Sequence, residues 1–389
     1  MAVPKLRFKR DDGSDYPEWR VYSISDLFNK VQNKNKGCKN TNVITNSAEY
    51  GLISQRDFFD KDIAVEGNTE KYTIIQTGDF VYNPRKSSKA PMGPFNCYCL
   101  AEEGIVSPLY SCLRPKGVLD SKYLLWYFQT NKWHGYMINH GAQNCARLGR
   151  VGMTDKILMG IPVSAPCIEE QQKIADFLFS VEEVISACKE EVANLETQKK
   201  AVMKMIFSQE VRFKKDDGSD FSEWELRKFN EVFVSFSNKK YQVQTDEYKD
   251  HGQYPIIDQG QDYCAGYTDI SSALCTEVPC ILFGDHTLVI KYVDMPFVVG
   301  ADGVKTLHAL IENSKYAYYL LQANNVKQQR YSRHFSKLNK ISFMFATDTE
   351  EQKKIADFLS DFDETIAAAK KELELWKELK KGLLQQMFV

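Results

Sequence analysis

EEQQKIADFLFSVEEVI at 169–185 returns as EEQKKIADFLSDFDETI at 350–366, identical at 11 of 17 positions. In both copies apolar residues then recur at alternating steps of four and three. The first ladder runs through Ile174, Leu178, Val181, Ile185, Cys188, Val192, Leu195, Val202 and Ile206. The second runs through Ile355, Leu359, Phe362, Ile366, Ala369, Leu373, Trp376, Leu383 and Met387. A 3.5-residue period held over five heptads specifies a coiled-coil seam. Each segment is expected to form a helix of about 40 residues, roughly 60 Å long. One such helix buries too little alone, so the two are expected to pair, antiparallel, with each other. Lys199 and Lys380 interrupt both stripes at the same heptad, either to set register or to meet a partner. Phe177, Phe358, Met203, Leu384 and Phe388 widen the apolar face beyond what one antiparallel pair covers. These five and the two lysines are the candidate partner-docking residues, on a face that globular domains of this chain also share.

Two further phrases recur. RFKRDDGSDYPEWR (7–20) matches RFKKDDGSDFSEWE (212–225) at 10 of 14 positions, and SKYLLWYFQTNK (121–132) matches SKYAYYLLQANN (314–325) at five of 12. The offsets of the three repeats, 205, 193 and 181, fall in order along the chain, as one duplicated unit with a shorter second copy requires. The expected fold is α+β: two homologous mixed α/β domains separated by two long antiparallel helices, with a pseudo-two-fold repeat. The segments are 1–168, 169–208 (helix), 209–349 and 350–389 (helix). Strands are expected at 72–76, 80–83, 106–113, 254–257, 279–283, 288–293 and 296–299. Asp120 and Asn313 read as N-caps of the two SKY helices. In the first phrase Asp-Asp-Gly-Ser-Asp makes a turn and Trp19 or Trp224 anchors the domain behind it, which reads as a structural junction.

At 389 residues, 43% apolar and 26% charged, the chain suits two soluble globular domains. It has no apolar run of the roughly 18–20 residues that span a bilayer, and MAVPKLRFKRDDG lacks a secretion signal's apolar core. Its ten scattered cysteines read as reduced thiols, so a cytoplasmic location is expected. Cys97 and Cys99 supply only two of the ligands a zinc ion needs, so no metal is expected. The formal charge of −2 hides an asymmetry: residues 20–168 hold 18 Lys+Arg against 12 Asp+Glu, whereas 226–349 hold 13 of each. The excess leaves nucleic-acid binding open without requiring it.

The combination of an RF…EW phrase, a variable domain, EEQ-x-KIADFL and a long helix, given twice, resembles the specificity (S) subunit of type I restriction–modification systems. GDFVYNPRKS, GIVSPLYSCLRPK, FGDHTLVIKYVDMPFVVGADGVK and KKGLLQQMF carry the same resemblance, which spans the whole chain. It implies two target recognition domains, each reading half of a bipartite double-stranded DNA site, and helices that hold them apart. It also implies two docked methyltransferase (M) subunits, with restriction (R) subunits joining the full complex. S-adenosylmethionine would then bind in M, with no cofactor in this chain.

The residues themselves favour recognition over catalysis. Asn83-Pro84-Arg85-Lys86 lacks the second proline and the aromatic of an amino-methyltransferase site. Glu247-Tyr248-Lys249 lacks the upstream acid of a nuclease, and no P-loop is present. An enzyme with diverged motifs and a coiled-coil protein adaptor are the competing classes.

Base readout and phosphate contact call for Arg, Lys, Asn and Gln on loops. In the first half the candidates are Lys34, Lys36, Gln55, Arg56, Arg85, Lys86, Ser87, Lys89, Asn144, Arg147 and Arg150. In the second they are Asn238, Lys239, Lys240, Gln259, Gln261, His286, Thr287, Lys305, Arg330, Arg333 and His334.

Overall fold

The computed structural model describes residues 3–55, 69–140, 149–328 and 333–389. Arg56, Asn144, Arg147 and Arg330 lie outside the described residues. The chain divides into two compact units, Met1–Ala187 with Leu373–Val389, and Cys188–Glu372. Each unit therefore holds a globular part and about half of each long helix.

Both units are built to one plan. The first contains β1 (Arg20–Ser23), β2 (Phe28–Lys30), β3 (Ile44–Ser47), β4 (Gly51–Ser54), β5 (Thr73–Ile75), β6 (Phe80–Tyr82), β7 (Phe95–Cys97), β8 (Gly104–Val106), β9 (Ser111–Pro115) and β10 (Pro162–Ala165). The second contains β11 (Glu225–Lys228), β12 (Phe233–Phe236), β13 (Tyr254–Ile257), β14 (Gly266–Thr268), β15 (Leu274–Cys275), β16 (Cys280–Gly284), β17 (Ile290–Val293), β18 (Phe297–Val299), β19 (Val304–Ala309) and β20 (Ser342–Phe345). The central sheets have orders β2-β9-β6-β7 and β12-β19-β16-β17, and β1-β10 matches β11-β20. The small sheet is β14-β13-β18-β15 in the second unit and the pairs β3-β4 and β5-β8 in the first. There an isolated parallel bridge, Val43 to Ile105, stands where β13 runs beside β18. The expected strand over 106–113 is two strands, because Ser107–Tyr110 turns between them and Pro108 has no N–H for a ladder.

The SKY segments form α1 (Ser121–Gln129) and α3 (Ser314–Ala323), capped by Asp120 and Asn313, whose side chains accept from the amides of Tyr123 and Tyr316. The heptad segments form α2 (Ile168–Phe207) and α4 (Thr349–Met387), of 40 and 39 residues. Within each unit the two pair antiparallel. In the second unit Lys199 meets Asp363 and Lys370 meets Glu196, each at 2.6 Å; in the first, Lys380 meets Glu182 at 2.6 Å. The stripe lysines are thus internal latches, and both are built alike. Lys199 lies 5.0 Å above the Tyr319 ring of α3, and Lys380 lies 4.8 Å above the Trp126 ring of α1.

The two repeated phrases turn out to bind each other. Glu351 is fully buried and accepts from Arg212 Nε at 3.1 Å and Nη2 at 3.0 Å and from Trp224 Nε1 at 2.9 Å. Glu170, equally buried, accepts from Arg7 Nε and Nη2 at 2.8 and 2.9 Å. Phe8 lies edge-on to Phe177, as Phe213 does to Phe358, at 5.7 and 5.6 Å. Asp12 and Asp217 close the turn by accepting from Ser14 and Ser219. The phrase is a strap along the start of each long helix, and it covers part of the surplus apolar face.

The cores are aromatic. In the first unit Phe28, Phe80, Phe95 and Phe128 contact one another between the central sheet and α1. In the second, Phe229, Phe233, Phe283 and Leu320 share one core with Ile355 and Leu359 of α4. Burial of such side chains, at roughly 1.5–3 kcal/mol each, roots each long helix in its globular part.

Candidate nucleic-acid interface

In the second unit five chain segments are stitched into one surface. Gln259 Nε2 donates to Asp302 O at 2.9 Å, its Oε1 accepts from the His286 amide at 3.2 Å, and its backbone carbonyl accepts from Thr287 Oγ1 at 2.7 Å. The Asp285 amide donates to Gly303 O, and Asp285 in turn receives the amides of His334 and Phe335. Asn238 Nδ2 donates to Val304 O at 2.9 Å, and Lys305 sits 5.8 Å over the Phe335 ring. Gly303 has φ of +87°, and a Cβ there would lie 2.4 Å from Gln259 Nε2, so the close approach requires glycine.

This geometry sorts the sequence candidates. Lys239, His286 and Arg333 are exposed, Lys305 is half-buried, and Gln261 is exposed on the neighbouring loop. Gln259, Thr287 and Asn238 spend their polar atoms on holding the loops, so they shape the surface more than they reach from it. His334 is a correction: it is 1% exposed, with Nδ1 2.9 Å from Asp285 O, so it braces the Asp285 turn and does not face a ligand. Lys240 stands over the Tyr241 ring and 3.5 Å from Glu277, which offsets its charge.

The equivalent surface of the first unit is also basic. Asn83 is buried and its Oδ1 accepts from the Arg85 amide, which turns the chain out of β6. The Lys86 amide donates to Gly149 O, the Val151 amide to Pro84 O, and Arg85 and Arg150 form a backbone bridge. Arg85, Lys86 and Arg150 are therefore brought together from two distant segments. Ser87 closes a turn by accepting from the Ala90 amide, and Lys89 is paired with Glu49 at 2.7 Å. Lys34 bonds Thr73 Oγ1 at 2.9 Å, Lys36 is exposed, and Gln55 is half-buried, its amide donating to Val43 O. A bidentate ion pair that sequence reading missed, Arg114 with the buried Asp79 at 2.8 and 2.9 Å, ties β9 to the β5–β6 turn.

The family of the type I restriction modification DNA specificity domain matches residues 16–197 and 221–375, most of the chain in two copies. The chain belongs to that family. It is 24% identical to the type I restriction enzyme MjaX specificity subunit of Methanocaldococcus jannaschii, over 97% of this chain and 94% of that one. It is 30% identical to the EcoR124I/EcoR124II specificity subunit of Escherichia coli over 21% of this chain and 22% of that one. The type I restriction–modification S subunit from M. genitalium shares the fold, with a TM-score of 0.55 at 15% identity, covering 100% of this chain and 99% of that one. A chain from a structure of type I R-M complex assembly and conformational transition gives 0.53 at 12% identity, over 96% and 98%.

In this specificity-family chain the docking candidates fall into two groups. Phe388 is corrected: at 1% exposure it is buried on Tyr123 and Tyr127 of α1, with ring centroids at 5.3 and 6.2 Å. Lys199 and Lys380 are engaged in the latches. Met203, Phe358 and Leu384 are half-buried, and Phe177 is 37% exposed beside Phe8. Leu375 and Leu379, which the heptad ladder skips, are 57% and 48% exposed one turn apart on α4. Among the described residues no three His, Cys, Asp or Glu side chains are placed to hold a metal ion. No helix among them is long and apolar enough to cross a membrane.

Proposed function

We propose that this chain is the noncatalytic DNA-reading subunit of a type I restriction–modification complex, one unit reading each half of an asymmetric bipartite site. The observation that carries this reading is one strand plan used twice in a specificity-family chain. At the same structural point of each copy a loop surface bears unlike polar groups: Arg85, Lys86 and Arg150 in one, Lys239, His286, Lys305 and Arg333 in the other. Two modules with the same scaffold and different loops read two different short tracts. The first domain, with 18 Lys+Arg against 12 Asp+Glu over residues 20–168, supplies more of the salt-dependent affinity, and the second, with 13 of each over 226–349, relies more on aimed hydrogen bonds. Two M subunits dock on the repeated helices, Leu375 and Leu379 among the contacts, and R subunits join them. S-adenosylmethionine binds in M, where a flipped adenine receives the methyl group.

The test is a map of methylated adenines in cells carrying this chain with its partner genes. Replacing residues 20–168 by an unrelated recognition domain should change one half of the methylated motif and leave the other. A motif altered in both halves, or methylation independent of this chain, refutes the reading.

A further inference from the structure

Resting on that reading, we infer that one polar side chain in each unit, Asn96 in the first and Lys291 in the second, sets the posture of the loop that follows the first strand of the small sheet, and that these two loops read DNA.

The two residues occupy one position of the shared plan. Phe28 pairs with Pro115 and Lys30 with Leu113, as Phe233 pairs with Ala309 and Ser235 with Leu307. One strand inward, Leu113 faces Phe80 and Leu307 faces Ile281, so Val81 corresponds to Leu282. Val81 pairs with Asn96, and Leu282 pairs with Lys291. Each side chain then leaves its own sheet: Lys291 holds the loop after β13, and Asn96 holds the last two residues of β3, from which the β3–β4 turn departs.

Lys291 is 5% exposed, and its Nζ donates to Asp258 O at 2.8 Å and to Asp262 O, with Asp258 Oδ1 at 3.9 Å. The ammonium thus closes the irregular segment Asp258–Asp262, which begins the β13–β14 connection. Burial pushes its pKa down, and the two loop carbonyls supply polar partners inside the protein. In the first unit Asn96 Nδ2 donates to Asn46 Oδ1 at 2.7 Å and Ser47 O at 3.1 Å, and its Oδ1 accepts from Gln129 at 3.1 Å. Asn46 is 4% exposed and is further bonded to Val81 O and by Asn83. That network ends where the β3–β4 turn begins.

An apolar residue at this position would serve the ladder equally well, because a strand asks nothing polar of a side chain that crosses to another sheet. The polar choice has its effect on the loops, whose outer residues are exposed: Tyr50 at 62% in one, Gln261 and Tyr263 in the other. Asn96 and Lys291 are positioning residues, and Tyr50 and Gln261 are the reading residues they aim.

The full chain in complex with its methyltransferase partner is used to select from duplexes randomised in both half-sites. Lys291→Met should relax base preference about tenfold in one half-site and leave the other as in wild type, with affinity for non-specific duplex within about twofold. Asn96→Ala should do the converse, and Lys291→Arg, which keeps the donors, should retain the preference. Gln261→Ala and Tyr50→Ala, both at exposed positions, should alter the same respective half-sites and decide the matter if a buried variant does not fold. Wild-type selection of a bipartite motif with folded Lys291→Met and Gln261→Ala variants selecting the same motif overturns the inference alone. A wild-type complex with no base preference overturns the DNA-reading function and the inference with it.

Discussion

Arg212→Met removes the cation that anchors the second strap. Two guanidinium nitrogens lie 3.0 and 3.1 Å from a fully buried carboxylate, so at an effective dielectric of ~20 the attraction is about 5 kcal/mol. Methionine fills much of the same volume but leaves Glu351 with Trp224 Nε1 as a remaining donor and no cation, and breaking such a pair costs about 3–5 kcal/mol. The second unit spans about 185 residues, for which each kcal/mol moves the midpoint about 2–4 °C. Calorimetry of the full chain should therefore show one transition lowered by about 6–20 °C, while the first unit's transition stays. Arg7→Met should lower the first unit's transition at least as far, because Trp19 Nε1 has no hydrogen-bond partner and gives Glu170 no second donor. Adding Glu351→Gln to Arg212→Met should recover part of the loss, since the amide carries no charge to leave unpaired. A shift under about 2 °C for Arg212→Met would show that the strap is not anchored by this pair.

Lys199→Met and Lys380→Met should each destabilise by about 1–2 kcal/mol in urea titrations and by nearly equal amounts, because both lose one ion pair and one cation–π contact of the same design. Arg333→Ala should weaken DNA binding by the complex and reduce the salt dependence by about one charge without changing the melting temperature, whereas His334→Ala should lower the melting temperature, since one side chain is exposed and its neighbour is buried. Cys99, which is exposed, should be alkylated by iodoacetamide well before Cys97, because the neighbouring Cys97 side chain lowers the Cys99 pKa while the same contact and burial raise that of Cys97, as peptide mapping would show.

The duplication, the two long helices, the caps at Asp120 and Asn313 and the class of protein were all legible in the sequence. Each of these rests on local or periodic patterning, and period and capping chemistry are properties of neighbours along the chain. The repeated polar phrases were legible as structural junctions, but the residues they bind were not. Arg7 and Glu170 are 163 residues apart, and nothing short of the folded chain sets one beside the other. The same limit applies to the candidate site. Arg333 and His334 look alike as adjacent basic residues, and only the Asp285 turn, arriving from another strand, buries one and leaves the other exposed. Phe388 looks like a free end of an apolar stripe until α1 covers it. Asn96 and Lys291 share no residue type, so their equivalence emerges from strand register, which is fixed by pairing between segments distant in sequence. Composition and period determined what the parts are; tertiary contact decided which polar groups hold the parts together and which remain exposed to meet a partner.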